Sequence, residues 1–127
     1  MSPVKVIVLL SLFLVSCGRS NADEVQHLSA KEVRDRLAAD TTILLLDVRT
    51  ENEYVGDGHL PGAYLIPVGD LEARLAEIPK SKEVIAYCRS GNRSTYAAQL
   101  LTRHGIRAST MDGGIIAWED QGFTVER

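Results

Sequence analysis

Seven consecutive residues, Cys88-Arg89-Ser90-Gly91-Asn92-Arg93-Ser94, hold the reactive chemistry of this chain. The cysteine is a nucleophile only as a thiolate, so what surrounds it decides what it can do. It leaves the apolar run Val84-Ile85-Ala86-Tyr87 and enters residues 94–105, whose spacing predicts a helix ended by Gly105. A turn from strand to helix directs backbone N–H groups and the positive end of the helix dipole into its concavity. Gly91 lets the chain bend tightly, and Arg89 and Arg93 add full positive charge. Each effect favours thiolate, so Cys88 is expected to ionise below the ordinary value of about 8.5. The competing reading is a buried structural cysteine. Such residues sit inside strands and helices more naturally than in an Arg-Ser-Gly-Asn-Arg turn.

The chain has 127 residues, two cysteines and a net charge of −3. That length suits one compact domain, and the charge gives no global attraction to nucleic acid or anionic lipid. The second cysteine, Cys17, closes Leu14-Val15-Ser16-Cys17 after an apolar stretch over residues 6–15 that follows Lys5. Ten helical residues reach about 15 Å, half of a hydrocarbon core, which fits the apolar region of a signal peptide and not a spanning helix. The Leu-Val-Ser-Cys run resembles a bacterial lipobox. On this reading residues 1–16 are a lipoprotein signal peptide, 17–24 a lipidated tether and 25–127 the folded domain. The protein is then exported and lipid-anchored at Cys17, facing the periplasm or the cell surface. A Cys17 sulfur carrying lipid cannot pair with Cys88, which leaves one free thiol in an oxidising compartment and invites a functional explanation.

The elements that must position Cys88 follow from pattern. "EVQHLS" suggests a short strand, and Ser29 with Glu32 forms a capping box opening a helix to about Ala39. "TILLLDV" is an apolar run of strand length, buried on both faces. A loop rich in Gly and acidic residues is expected next, then a strand at "AYLIP". Asp70 is expected to cap a helix over "LEARLAEI" with Leu71, Leu75 and Ile78 on one face. The helix after Cys88 is expected to carry Tyr96, Ala97, Leu100, Leu101 and His104 on one stripe. "RASTM" and "GGIIAWEDQG" add a last strand and helix, with Trp118 as its core anchor. Alternating strands and helices predict an α/β fold with a parallel sheet covered on both faces. Ligands bind such sheets at the carboxyl ends of the strands, where Cys88 and Asp47 lie.

With these residues in place the chain resembles the rhodanese-like sulfurtransferases. "CRSGNRS" is similar to their Cys-x-x-Gly-x-Arg loop followed by Ser or Thr. "LLDVRTENEYVGDGHLPGAYLIP" is similar to their N-terminal signature at Asp47, Arg49, Glu53, Tyr54, Gly58, His59, Pro61, Gly62 and Ala63. "MDGGIIAWEDQGFTVE" is similar to the C-terminal one at Gly113, Gly114, Trp118 and Gly122. The chain departs from the pattern by one extra residue between Tyr54 and Gly58, and by Thr124 in place of a frequent proline. The resemblance spans residues 25–126 and implies a five-stranded parallel sheet with helices on both faces. It also implies a two-step reaction: Cys88 takes sulfane sulfur from a donor such as thiosulfate, becomes a persulfide, and passes the sulfur to cyanide or a thiol. The loop residues Arg89, Ser90, Gly91, Asn92, Arg93 and Ser94 would bind the donor or the bound sulfur, with Arg89 and Arg93 drawing in the anion.

Loop length separates the nearest alternative chemistry. Cysteine phosphatases use Cys-x5-Arg, whereas four residues lie between Cys88 and Arg93, a smaller cradle that suits one sulfur atom. Asp47 and Arg49 are expected to hold neighbouring loops, and His59 to fix its own loop. Loops near Gly56 and Ala63 are expected to shape the pocket walls. His27 and His104 lack partners in sequence, and no zinc pattern or dinucleotide fingerprint occurs, so neither metal nor cofactor is expected. A monomer is expected, with partners limited to the anionic donor, a thiol or cyanide acceptor, and the membrane through lipid. The reading from a different class is a binding or sensory domain that keeps the fold without turnover.

Overall fold

The computed structural model describes residues 3–4 and 24–127. Apart from residues 3–4, the expected signal peptide, Cys17 and most of the expected tether lie outside the described residues. Five strands form one wholly parallel sheet in the order β1-β5-β4-β2-β3. They are β1 (Gln26–Leu28), β2 (Leu44–Asp47), β3 (Tyr64–Leu65), β4 (Val84–Tyr87) and β5 (Ala108–Met111). Four α-helices accompany them: α1 (Ala30–Ala39), α2 (Glu51–Gly56), α3 (Asn92–Arg103) and α4 (Gly114–Asp120). No described helix is long and apolar enough to cross a membrane.

The chain runs from β2 outward to β3 and then returns to β4 on the other side of β2. The crevice at the carboxyl ends of β2 and β4 is therefore the switch point of the sheet, where ligands of parallel α/β folds bind. Asp47 and Tyr87 end these two strands in register, and Cys88 follows Tyr87.

Strand alternation divides the core. Leu46, Val84, Ala86 and Cys88 face a layer with Ala97, Leu100 and Leu101 of α3. Leu45, Ile85 and Tyr87 face the opposite layer, with Val33 of α1 and Ile115 and Trp118 of α4. Residues 87 and 88 thus project to opposite faces, and only the second reaches the α3 side. Trp118 is buried and donates its Nε1–H to the Thr124 carbonyl at 2.9 Å.

The capping box at Ser29 and Glu32 is present and opens α1 as the spacing predicts. Three local expectations are corrected. The loop after β2 contains α2, opened by a second capping box in which Thr50 and Glu53 bond reciprocally. The segment after Asp70 is not an α-helix but two 3₁₀ stretches, Val68–Asp70 and Glu72–Glu77, with a kink at Arg74 and no side-chain cap from Asp70. Bonds closing three residues apart, Arg74 to Leu71 and Ile78 to Leu75, tighten this path, and Leu71 and Ile78 are still buried. On α3 the buried face is Ser94, Ala97, Ala98, Leu100 and Leu101, whereas Tyr96 and His104 are exposed.

Helix α4 begins directly against the cysteine turn. Ile115 N–H donates to the Cys88 carbonyl at 2.9 Å and Ile116 N–H to the Arg89 carbonyl at 3.4 Å. Gly114 has φ +56°, and a Cβ there would collide with both carbonyl oxygens. Glycine is required twice over, by conformation and by space. Gly114→Ala is therefore expected to push α4 off the turn. It should cost about 2–3 kcal/mol in urea unfolding and lower Cys88 alkylation at neutral pH several-fold; a variant equal to the parent in both would contradict this packing.

Candidate active site

The turn from β4 into α3 wraps around the Cys88 sulfur. Gly91, at φ +121°, folds back so that its N–H donates to Sγ at 3.1 Å. The Ser94 hydroxyl lies 3.5 Å from Sγ on the first turn of α3. Cys88 is buried, and burial alone pushes its thiol up. Hydrogen bonds from the Ser94 hydroxyl and from the N–H groups of Ser94, Gly91 and Ser90 outweigh that effect and hold the thiol below its ordinary value. The site therefore stabilises a sulfur anion chiefly with hydroxyl and peptide dipoles.

The two arginines of the turn differ. Arg89 is exposed, and among the described residues no carboxylate lies within ion-pair distance of it. Arg93, expected to draw in an anion, instead forms a two-pronged ion pair with Glu53 of α2, at 2.7 and 2.9 Å. The reason lies in α2: once residues 51–56 coil into a helix, Glu53 points at the cysteine turn. Arg93 then ties the turn to α2 rather than presenting a free charge. Asn92 begins α3 with its residue exposed, and Ser90 is exposed while its N–H serves the sulfur.

Below the turn, Asp47 and Arg49 are fully withdrawn from water. Arg49 grips the Asp47 carboxylate with Nε at 3.0 Å and Nη2 at 2.7 Å, and Nη2 also donates to the Gly58 carbonyl at 2.7 Å. Tyr87 adds a hydroxyl donor to Asp47 at 2.6 Å and accepts the Leu60 N–H at 3.1 Å. Burial, with Asp47 beside it, pushes the Tyr87 phenol far up, so it remains a proton donor. His59 stacks on Tyr54 with ring centroids 3.7 Å apart and bonds through Nδ1 to the Tyr54 carbonyl at 3.1 Å. Its backbone exchanges two bonds with Glu126. His27 is exposed and pairs with Asp112.

Two cavities flank the turn. One of about 470 Å³ is lined by Arg89, Gly56, Asp57, Ile115 and Glu119 among others. One of about 430 Å³ lies on the other side, against Arg93, Asn92, Tyr96, Val68 and Leu100. Gly56 thus lines a wall as expected, whereas Ala63 is buried and its carbonyl accepts from the Tyr54 hydroxyl. Sequence reasoning missed Glu53 as the partner of Arg93 and Tyr87 as the partner of Asp47. The Thr50-x-x-Glu53 pattern announced the helix that carries Glu53; Tyr87 gave no local signal, because its partners lie 27 and 40 residues away.

A family model described as the rhodanese-like domain matches residues 29–121. A relative from Allochromatium vinosum named a sulfurtransferase is 37% identical over 102 residues, 80% of this chain and 94% of that protein. Among solved structures, a rhodanese-like domain protein from Staphylococcus aureus is similar with a TM-score of 0.72 at 28% identity, covering 81% of this chain and 100% of that one. A thiosulfate sulfurtransferase from Pseudomonas aeruginosa gives 0.73 at 29% identity, covering 81% of this chain and 20% of that one.

The Glu53–Arg93 pair gives a pH signature. The Arg93 hydrogen bonds hold the Glu53 carboxyl at about 2, against the opposing effect of partial burial. A folded value below the unfolded one adds stability that is present above about pH 4.5 and is lost as pH falls toward 2. The pair is partly exposed, which limits the effect to about 1–2 kcal/mol. In urea unfolding, Glu53→Gln should be weaker than the parent by that amount at pH 6, and the gap should close between pH 4.5 and 2. A gap of constant size would show that the carboxylate is not the stabilised form.

Proposed function

The chain belongs to the rhodanese-like sulfurtransferase family, and from that premise we propose that it moves sulfane sulfur from thiosulfate, through a Cys88 persulfide, to cyanide or a thiol. The observation that carries the reading is the Cys88 sulfur held by the Gly91 N–H and the Ser94 hydroxyl at the switch point of the sheet. The Cys88 thiolate attacks the outer sulfur of thiosulfate; the S–S bond of the donor breaks, and sulfite leaves with the electron pair. The product is a Cys88 persulfide anion, which the same N–H groups hold. Cyanide then attacks the outer sulfur, leaves as thiocyanate and restores the thiolate. Charge is conserved at both steps, so neither needs an oxidant.

Burial of Cys88 supports this choice over phosphoryl chemistry, since a terminal sulfur is narrower than a tetrahedral phosphoryl group. Arg89 offers the turn's unpaired cation to the anionic donor, while Asp47, Arg49 and His59 position the surrounding loops. A turn that favours ionisation of the Cys88 thiol also counts against a binding domain without turnover, which has no use for a reactive sulfur. The Leu-Val-Ser-Cys run further supports a chain anchored by lipid on Cys17 after removal of residues 1–16, with 25–127 as the working domain outside the cytoplasm.

Intact mass spectrometry tests the reaction on the full chain carrying Cys17→Ser, kept in detergent. Thiosulfate should add one sulfur atom, cyanide should remove it, and Cys88→Ser should take up none. Sulfur uptake by Cys88→Ser, or none by the parent, would overturn the assignment. For the anchor, the parent chain extracted from bacterial membranes should weigh less than its sequence by residues 1–16 and more by the added acyl groups, and Cys17→Ser should show neither change.

A further inference from the structure

Behind the cysteine turn the structure holds a second hydroxyl that the reaction as described does not use. Thr110, on β5, is 1% exposed, and its Oγ1 lies 2.7 Å from Ser94 Oγ. Ser94 in turn reaches Cys88 Sγ at 3.5 Å and the Gly91 carbonyl at 3.1 Å. Ser94 has one proton and three neighbours, so where that proton points decides whether the sulfur anion receives it.

Two observations favour one direction. The Gly91 carbonyl already accepts the Thr95 N–H at 3.0 Å and the Thr95 hydroxyl at 2.8 Å, so its lone pairs are served without Ser94. Ser94 Oγ and Thr110 Oγ1 share one hydrogen bond in which either oxygen could donate, and donation by Thr110 satisfies its buried hydroxyl proton. With its lone pair so occupied, Ser94 is left with a proton to give and a thiolate as its neediest acceptor. We propose that Thr110 is a positioning residue of the sulfur site: its buried hydroxyl donates to Ser94 Oγ and thereby commits the Ser94 proton to the Cys88 sulfur.

This rests on the reading of Cys88 as the sulfur-transferring nucleophile and extends it by one residue, from the turn into the neighbouring strand. When Cys88 is a thiol, its S–H donates to Ser94, and the Ser94 proton makes the longest of three contacts to the Gly91 carbonyl, which it shares with the Thr95 N–H and hydroxyl. When the sulfur ionises, the Ser94 proton swings back, and Thr110 holds Ser94 in place in both states. The charged groups about the sulfur are few. Arg93 feels the Cys88 charge and is paired with Glu53 from α2; Asp47 at the end of β2 is paired with Arg49; Arg89 is exposed. The β5 strand, Ala-Ser-Thr-Met, has no charged side chain, and the carboxylates of α4, Glu119 and Asp120, are at its far end and exposed. A change at Thr110 therefore acts through the hydroxyl chain and not by altering a charge.

The test uses the full chain with Cys17→Ser in detergent, so that Cys88 is its one thiol. Iodoacetamide alkylation read by intact mass, across about pH 5 to pH 10, titrates the thiolate. Thr110→Val keeps the shape and removes the hydroxyl. It should move the midpoint upward and slow alkylation at neutral pH by about 3- to 10-fold, as loss of one hydrogen bond to a charged sulfur would. Thr110→Ser should restore the parent profile, and Thr110→Ala provides the same readout should the valine variant fail to fold. In a Ser94→Ala background, Thr110→Val should add nothing. A profile unchanged by removing the Thr110 hydroxyl, or a Thr110 effect that persists in full without Ser94, overturns the proposal. Thiosulfate loading of the same samples keeps the two readings apart. A parent that alkylates with the expected Thr110 dependence but takes up no sulfur supports the relay and sinks sulfur transfer from thiosulfate alone.

Discussion

Asp47 and Arg49 face each other at the carboxyl end of the sheet without contact with water. Withdrawing a carboxylate and a guanidinium costs several kcal/mol each, and such a pair persists only when its remaining lone pairs and protons find partners. Here they do: the carboxylate receives the Arg49 backbone N–H, two guanidinium nitrogens and the Tyr87 hydroxyl. The spare bonds of the cluster reach outward, from Arg49 to the Gly58 carbonyl and from Leu60 N–H to Tyr87. One buried charge pair thus fixes the end of β2, the end of β4 and the loop that leads to β3. Removing either partner would leave the other buried and uncompensated, at about 3–5 kcal/mol. The residue after β4 is Cys88, so strain there would be felt at its sulfur.

The turn beyond that anchor is held by its carbonyls. Because a peptide is planar and trans, its C=O and N–H point opposite ways. When Ile116 captures the Arg89 carbonyl, the Ser90 N–H in the same peptide is turned the other way, toward the sulfur that its hydrogen bond serves. The absent side chain of Gly114 is what lets α4 come close enough for this. Cys88 and Tyr87, on opposite faces of one strand, let the rigid polar cluster and the reactive sulfur share a backbone without sharing a solvent environment.

The sheet, α1, α3 and α4 were legible in the sequence because their apolar periods and caps are local. The cysteine turn was legible for the same reason, since Cys88, Gly91 and Ser94 act on one another within seven residues. What escaped were features decided across the fold. The helix α2 hides in a stretch rich in Gly and acidic residues, where only the Thr50 and Glu53 pair marks its start. The 3₁₀ path after β3 shows the same apolar spacing as an α-helix, and only its packing distinguishes the two. The pairing of Arg93 could not be read from the turn either, because its partner Glu53 lies 40 residues away. Thr110 could not be singled out at all, as a threonine in a short strand carries no mark of what it touches.

With Arg93 paired, the field at the sulfur comes mainly from dipoles, and this suits the chemistry proposed for it. A thiolate and a persulfide each carry one negative charge within a bond length of the same place. Fixed N–H groups serve both without rearrangement, so little reorganisation is needed as sulfur arrives or leaves. In the proposed reaction, a free guanidinium over Cys88 would instead bind the thiosulfate and sulfite dianions more strongly than the monoanionic intermediate, and would slow the departure of sulfite. Pairing Arg93 with Glu53 removes that penalty and keeps the arginine as a strut. Arg89, exposed on the wall of the cavity of about 470 Å³, can then attract an anion at a distance without gripping it at the sulfur. The division of labour between two arginines four residues apart is set by α2, a helix that only its capping pair marks in the sequence.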